Sequence, residues 1–537
     1  MRDMSRITSF ALRGIEAEPI DVESTATEGK GGAPRRSVVG LPDAAVRESL
    51  ERVHAALRAS GLGGLPHESV VNLAPADLRK EGPVYDLPIA LSLLGAARVL
   101  SESARARLSR TIVAGELALD GTVRSVRGIT SMTMLARERG VPAVLLPSCN
   151  APEAAIVRGV EVVGVRCLRE AVAWAERGSI DALDGTKGPD PQHEPINRAL
   201  SIDSVHAIGN TLDFIEVRGQ ESAKRALVIA AAGAHNTLLV GSAGSGKTMM
   251  ARAMPGILPP LSEDEALEIT RVYSVALGAV RQHGLARERP FRSPHHSASM
   301  AAIIGGGTNP RPGEVTLAHL GVLFLDELPE FSRQVLEGLR EPLEDGFVSI
   351  ARASSRVRFP ARPLLIAAMN PSHAGGFGQS AKSMRDQERY MGRLSGPLLD
   401  RIDMHVAVRA VGFSALAARR TGLDSSMMRG LVQDARGRMV ARQGSARPNA
   451  YLRGSELDAY AALDSASSRL LGEAIAALGL SARAYDKVRR VARTVADIEG
   501  SSEVLESHIA EAVQYRLLDR HKSSSTPTRV SLTGAHP

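Results

Sequence analysis

Eight consecutive residues, Gly241-Ser242-Ala243-Gly244-Ser245-Gly246-Lys247-Thr248, have the spacing Gly-x-x-x-x-Gly-Lys-Thr of a phosphate-cradling loop. Its glycines let backbone N–H groups turn inward onto phosphate oxygens, Lys247 reaches the β- and γ-phosphates, and the Thr248 hydroxyl ligates Mg²⁺. The context agrees. Apolar Thr237–Val240 reads as a buried strand before the loop, and Met249–Met254 as a helix that presents its positive end to the anion. Downstream, Val322-Leu323-Phe324-Leu325 runs into Asp326-Glu327. Beside such a loop, Asp326 would hold the Mg²⁺ shell, and Glu327 would orient and polarise the attacking water. Phosphoryl transfer needs this positioning and charge neutralisation more than covalent chemistry. A third apolar strand, Leu364–Met369, ends at Asn370, whose amide reads either as a partner of the γ-phosphate or water, or as a turn residue before Pro371.

Several arginines have spacings that fit a motor. Arg401, within Arg393–Asp403, reads as an arginine finger inserted into a neighbouring subunit's site, or as half of a surface ion pair with Asp400 or Asp403. Arg483 opens a helix and reads as a phosphate sensor or as a solvated side chain. Phe347–Arg352 and Arg356–Phe359 form a hairpin on which Arg352, Arg356 and Arg358 would face nucleic-acid phosphates, a contact that gives affinity without reading sequence. A solvated hairpin is the alternative. Arg281, Arg287, Arg289 and Arg292 make a second basic cluster, fit for DNA or a subunit contact. The third is Arg483, Lys487, Arg489, Arg490 and Arg493. Arg483, Lys487 and Arg490 share a helix face, read by default as solvated and in the sharper reading as a subunit contact. His295 and His296 lack a third metal ligand at sensible spacing, which leaves local hydrogen bonding.

The elements that must position these groups belong to a chain of 537 residues, enough for about three or four domains. The 44% hydrophobic fraction rules out wholesale disorder, and the net charge of +7 permits an anionic partner. Aromatics at 3% argue against gripping single strands mainly by base stacking. Cys149 and Cys167 are too few for a disulfide framework, and no apolar run approaches the roughly 20 residues that span a bilayer, so a cytoplasmic location without membrane contact is expected. Strands are expected at Ser37–Gly40, Ser69–Leu73, Thr111–Leu119, Val141–Leu146 and Val160–Val165, with helices at Asp43–Ala59, Asp86–Leu100, Ile129–Arg139 and Gln220–Ala234. The reading is α/β and multidomain: an α/β domain over 1–182, a linker over 183–200, a P-loop α/β core over 201–410, a helical lid over 411–520 and a disordered tail over 521–537.

Longer motifs carry a narrower likeness. They include Phe291-Arg292-Ser293-Pro294-His295-His296-Ser297, Pro312-Gly313-Glu314-Val315-Thr316-Leu317-Ala318-His319 running into Gly321–Glu327, Ala367–Pro371, Leu394–Asp403, Leu480–Tyr485 and, earlier, Val71–Asp77 with Lys80-Glu81-Gly82-Pro83. With these the chain resembles the magnesium-chelatase-like ComM/YifB family of AAA+ ATPases over nearly its whole length. The resemblance implies a Lon-protease-like N-terminal domain of the ribosomal S5 domain-2 type, an AAA+ core and a helical lid. It implies ATP and Mg²⁺ as ligands, a homo-oligomeric ring of six, and DNA as partner. One member of the family is a helicase that drives branch migration in natural transformation. Asn370 would be sensor 1, Arg401 the arginine finger and Arg483 sensor 2. Where relatives often carry a cysteine-rich insert after Asn-Pro, Pro371–Phe377 has no cysteine, so no metal is expected there; Ser242-Ala243 replaces a pair of prolines in the loop.

A Lon-like domain raises the question of proteolysis. Val84 stands where the nucleophilic serine would follow Gly82-Pro83, and no lysine lies near Gly128–Thr130, so the dyad is missing. A non-catalytic scaffold, DNA clamp or oligomerisation platform is expected. The competing reading for the whole chain is a chelatase-type protein-remodelling ATPase. The fused N-terminal domain argues against it.

Overall fold

The computed structural model describes residues 4–27, 35–180, 212–277, 284–307, 310–352, 355–370, 392–412 and 422–516. The expected linker, the segment after Pro371 and the tail lie outside the described residues. The chain divides into two compact units, one of residues 1–206 with 263–287, the other of 207–262 with 288–537.

The first unit is built on a seven-stranded mixed sheet. A hairpin of β1 (Met4–Arg13) and β2 (Glu16–Thr27) joins β3 (Arg35–Val39), β4 (Glu68–Ala74), β5 (Thr111–Val113), β6 (Ala143–Pro147) and β7 (Glu161–Val165) in the order β3-β4-β2-β1-β5-β6-β7. The hairpin has no counterpart among the expected strands, because inward positions are held by Ser5, Ser9 and Ser24 and the apolar alternation is masked. The expected strand Thr111–Leu119 stops at Val113. Gly115 leaves the sheet, donating its N–H to the Val84 carbonyl and accepting from Leu87 N–H, and Glu116–Leu117 then pairs with Val123–Arg124. Helix Asp86–Ala96 is buried along its entire length, and Asp86 is matched there by Arg52 at 2.8 Å. Val84 sits in the short turn Pro83–Tyr85 against the core, where it has no nucleophilic atom to offer.

Helix Glu263–Leu277 belongs to this first unit although the chain on both sides of it belongs to the second. Ala266, Ile269 and Val272 are buried. The buried carboxylate of Glu153 accepts from Ser274 Oγ of this helix as well as from Thr130 N–H at 2.9 Å and Asn150 Nδ2 at 3.2 Å. Arg271 Nη2 donates to the Ile15 carbonyl at 3.4 Å.

The second unit holds a five-stranded parallel sheet. Its strands are β8 (Thr237–Gly241), β9 (Phe291–Arg292), β10 (Val322–Leu325), β13 (Leu364–Met369) and β14 (Met404–Val408), in the order β9-β10-β13-β8-β14; a separate hairpin pairs β11 (Phe347–Arg352) with β12 (Ser355–Pro360). Both faces are covered, as parallel sheets require. Leu239, Phe324 and Ile366 point to one apolar cluster, and Leu238, Leu323 and Leu365 to the other. The expected helix before β8 spans Glu221–Gly233. Beyond residue 422 the chain is helical in Ser425–Gln443, Ser455–Tyr460, Ser465–Leu478, Ala482–Glu499 and Glu506–Gln514, which pack through Val432, Leu471, Val491, Val495 and Ile509 onto the first of those clusters. No helix among the described residues is long and apolar enough to cross a membrane.

Candidate active site

The parallel register brings three strand ends together. Val240 pairs with Met369 and Leu325 with Ala367, so the Gly241–Thr248 loop, Asp326-Glu327 and Asn370 emerge at one edge of the sheet. Gly241 opens the loop where a Cβ would lie 2.2 Å from the Val408 carbonyl oxygen, so only glycine lets the chain leave between β13 and β14. Gly244 and Gly246 hold φ of +75° and +94° with nothing within 4 Å of where a Cβ would be, which leaves an open cradle. A cleft of about 370 Å³ is lined by this loop with Asp326, Glu327, Met369 and Asn370.

Lys247 Nζ donates to the carbonyls of Gly241 and Ser242 at 2.8 and 2.9 Å and to Asn370 Oδ1 at 3.1 Å. Burial pulls the ammonium below its ordinary value, against the attraction of Asp326 and Glu327. Thr248 Oγ1 donates to Asp326 Oδ2 at 2.8 Å, so two hard oxygens already meet where a divalent cation would take them. Donor set, open glycines and amine all fit a Mg²⁺–nucleoside triphosphate. Glu327 adopts φ +52°, a strained conformation for a residue with a Cβ, of the kind that clusters at functional sites. His296 Nδ1 stands 3.5 Å from Glu327 Oε2, its ring tilted against His295 at 4.1 Å between centroids and edge-on to Phe331. His295 bonds locally, to Ser297 Oγ at 2.8 Å, whereas His296 faces an acid of the cleft; two adjacent histidines gave no sign of which would do so. Among the described residues no group of three or more potential metal ligands gathers.

The remaining two site candidates lie elsewhere. Arg401 precedes β14, and its backbone carbonyl accepts from Asn236 Nδ2 at 3.2 Å; Asn236 itself precedes β8 and accepts from Asp403 and Met404 N–H. Arg401 therefore stands at the strand edge opposite the phosphate loop. The five residues of β8 separate the two, about 16 Å at 3.3 Å per residue. Its ion-pair partner is neither Asp400 nor Asp403 but Glu344 on helix Arg340–Asp345. Arg483 Nη1 lies 4.0 Å from Asp400 Oδ2, and Arg483, Arg401, Asp400 and Glu344 share a second cavity of about 200 Å³ that contains no residue of the phosphate loop. Asn236 and Glu344 were not singled out in the sequence, for neither sits in a motif whose chemistry announces it.

Beneath this cluster Asp403 joins the core to the helical region. It faces Lys487 Nζ at 3.3 Å and His235 Nδ1 at 3.6 Å, and Lys487 also donates to the Ile402 carbonyl. Burial alone would raise the Asp403 carboxyl, but the Lys487 ammonium and then His235 outweigh it and hold the carboxyl well below its usual range. Asp403→Ala is expected to cost about 3–5 kcal/mol, because it strands a buried ammonium. A fall in the unfolding free energy from denaturant titration of less than a fifth of that would contradict this role.

Two of the basic clusters change character. On helix Ala482–Glu499, Lys487, Arg489 and Arg493 are buried, contrary to the expected solvated helix. Arg489 pairs with Asp458 and donates to the Ala461 and Leu457 carbonyls, Arg490 donates to Leu452 O at 2.8 Å, and Arg493 pairs with Asp497 and donates to Ser502 O at 2.8 Å. Guanidinium forks cap loop carbonyls here, leaving Arg483 as the exposed member. In the other cluster Arg289 donates to the Pro259 and Leu320 carbonyls, and Arg292 forms a two-point pair with Glu314, so both are engaged within the unit; Arg281 lies outside the described residues.

The hairpin forms as expected, with Val348 opposite Phe359 and Ser349 opposite Arg358. Arg358 is exposed and lies 4.5 Å over the Phe347 ring. Because opposite residues share a face, position 352 falls on the face of buried Val348, Val357 and Phe359, and positions 356 and 358 on the other, so the three arginines do not form the single face expected for them. The side chains of Arg352 and Arg356 lie outside the described residues.

Comparison with known proteins gives the fold its relatives. Residues 213–416 match the family model described as magnesium chelatase, subunit ChlI; residues 22–150 match one described as subunit ChlI of Mg-chelatase; and residues 422–516 match that of the ChlI C-terminal part. The chain is 39% identical over 521 residues to competence protein ComM of Haemophilus influenzae, covering 96% of this chain and 97% of that one. It is 40% identical over 520 residues to the uncharacterized protein YifB of Escherichia coli, covering 96% and 98%. A shorter likeness, 25% over 226 residues, covers 37% of this chain and 31% of the magnesium-chelatase 67 kDa subunit of Heliobacterium mobile.

Proposed function

This chain belongs to the ComM/YifB family of magnesium-chelatase-like AAA+ proteins, and from that premise we propose that it is an ATP-hydrolysing ring motor, a hexamer, that acts on DNA and promotes branch migration in recombination or natural transformation. The observation that carries the reading is the separation of about 16 Å between the phosphate loop and Arg401 across β8. Among the described residues that line the cleft, one protomer holds the cradle and acids without a guanidinium, and it presents its own guanidinium, with Arg483 beside it, at the opposite strand edge. Two copies head to tail complete both sites, and such a heterologous contact closes into a ring.

In the proposed reaction Lys247 holds the β- and γ-phosphates and Asn370 fixes Lys247 and the γ-phosphate. Thr248 and Asp326 take Mg²⁺, which neutralises charge on the phosphate oxygens when bound. Glu327 would accept a hydrogen bond from the attacking water and take its proton as the water oxygen bonds to the γ-phosphorus and the bond from that phosphorus to the bridging oxygen breaks, releasing ADP and phosphate. Arg401 and Arg483 of the adjoining protomer meet the charge that spreads over the transferred group, acting together rather than as one residue from each side. The first unit, read as a Lon-like scaffold without a proteolytic dyad, serves as platform or clamp.

DNA contact is assigned to the β11–β12 hairpin, with Arg356 and Arg358, whose positions share a face, as its phosphate-facing residues and Arg352 beside the turn. Forked or four-way junction DNA is expected to stimulate ATP turnover, and the chain is expected to move a synthetic four-way junction with ATP, with Lys247→Ala as the inert control. Replacing Arg356 and Arg358 by alanine should weaken DNA binding on all sequences alike and reduce the slope of log affinity against log salt by about 1 per lost contact. Stimulation and salt slope that both survive would remove the hairpin from the DNA path. The alternative is a chelatase-type remodelling ATPase without helicase activity, favoured by the chelatase descriptions of the matching families. Since residues 22–150 match one of these too, the presence of the first unit does not separate the two readings. Indifference of ATP turnover to every DNA form, with a protein partner stimulating it instead, would decide for the alternative.

A further inference from the structure

The arginine cluster is organised around one acid. Glu344 stands at the end of helix Arg340–Asp345, and its Oε2 meets Arg401 Nη2. Arg401 Nη1 is taken by the Pro397 carbonyl at 3.1 Å, so two of its donors are fixed and its side chain is only 12% exposed. From the helical region Arg453 Nη2 donates to the Glu344 carbonyl oxygen at 2.7 Å. The Arg401 hydrogen bond, with the nearby Arg483 and Arg453 charges, holds the Glu344 carboxyl below its ordinary value. Glu344 is 46% exposed and bonds to no core strand, so burial gives no reason for an acid at this point.

A free arginine side chain carries substantial rotamer entropy, which is lost anew each time it meets a phosphate. An acid that holds one side of the guanidinium while the Pro397 carbonyl holds another, and whose own backbone carbonyl is bonded by Arg453 of the helical region, removes that loss in advance. We propose that Glu344 is a positioning residue of the intersubunit site: it orients Arg401, and through Arg453 the helical region with Arg483, toward the triphosphate of the neighbouring protomer. This rests on the reading of Arg401 as a guanidinium supplied in trans.

The test uses full-length protein and steady-state ATP turnover. Glu344→Gln is expected to lower kcat about 10–100-fold, the scale of a small misplacement of a reacting group, with KM for ATP within about two-fold. Glu344→Asp, which keeps the charge, should recover part of kcat. Combining Glu344→Gln with Arg401→Ala should be no slower than Arg401→Ala alone, since one residue acts through the other. Mixing Glu344→Gln with Lys247→Ala, each slow by itself, should restore turnover, because the second variant lends an intact Glu344–Arg401 pair to the first variant's phosphate loop. A Glu344→Gln enzyme as fast as or faster than the parent, or a double variant slowed additively, overturns the inference. The reading beneath it is tested separately, and falls if Arg401→Ala itself turns over at the parent rate.

Discussion

Lys247→Ala leaves a chain that folds and assembles but hydrolyses ATP about 10²–10³-fold more slowly, and it no longer gains stability from the nucleotide. The first figure is the scale of removing one preorganised charge from a transition state. The structure gives the loss its reason. Lys247 Nζ is the one side-chain cation among the described residues that line the cleft, and three oxygens, from Gly241, Ser242 and Asn370, hold it in place before any phosphate arrives. Its ammonium is partly desolvated, so a triphosphate anion recovers more from it than from an exposed lysine. The second readout separates binding from chemistry. At nucleotide a hundred-fold above its dissociation constant the parent gains about 2.7 kcal/mol, seen as a rise in unfolding temperature, and the variant should gain almost none. A variant that keeps its thermal shift and loses only turnover would move Lys247 from holding the phosphates to acting on the reaction alone.

Arg401→Ala should fall still further, by about 10³–10⁵-fold in kcat, the range over which a guanidinium supplied to a transferred phosphoryl acts. Unlike the first variant it should bind nucleotide normally, because Arg401 lies at the far end of β8 from the loop that binds it. The two losses are complementary. Mixed Lys247→Ala and Arg401→Ala protomers place an intact loop against an intact arginine at some interfaces, so turnover should return to a fraction of the parent value set by the mixing ratio. No recovery at any ratio, together with a monomeric parent that hydrolyses ATP at full speed, would end the ring-motor reading.

What could be read beforehand divides along a physical line. The phosphate loop, Asp326-Glu327 and Asn370 were legible because each ends an apolar strand, and strand ends of a parallel sheet meet at one edge whatever the rest of the chain does. Asn236, Glu344 and the Asp403–Lys487 pair were not, since each acquires its partner only through packing between segments tens of residues apart. The β1–β2 hairpin was hidden by serines in the inward positions, where Ser92 reaches across to the Ser5 and Val22 carbonyls instead of an apolar side chain filling the space. Arg489 and Arg493 misled in the opposite sense: a helix dense in cations reads as wet, yet the guanidinium fork satisfies several carbonyls at once and can be sealed inside. The apolar period also says nothing of which unit a helix joins, and Glu263–Leu277 was taken with the core that surrounds it in sequence.

That helix bears on how the protein is made and how it can be divided. The amino-terminal half emerges from the ribosome before the stretch that completes it, so Glu153 waits for Ser274 while more than a hundred intervening residues are synthesised. Cutting at the natural-looking boundary after residue 180 would therefore release a fragment whose Glu153 has lost its Ser274 donor and whose apolar surface is bared where Ala266, Ile269 and Val272 are buried, and grafting the carboxy-terminal half onto another partner would carry along a peg cut for a missing hole. The two units are joined by three chain crossings rather than one, so no single cut separates them.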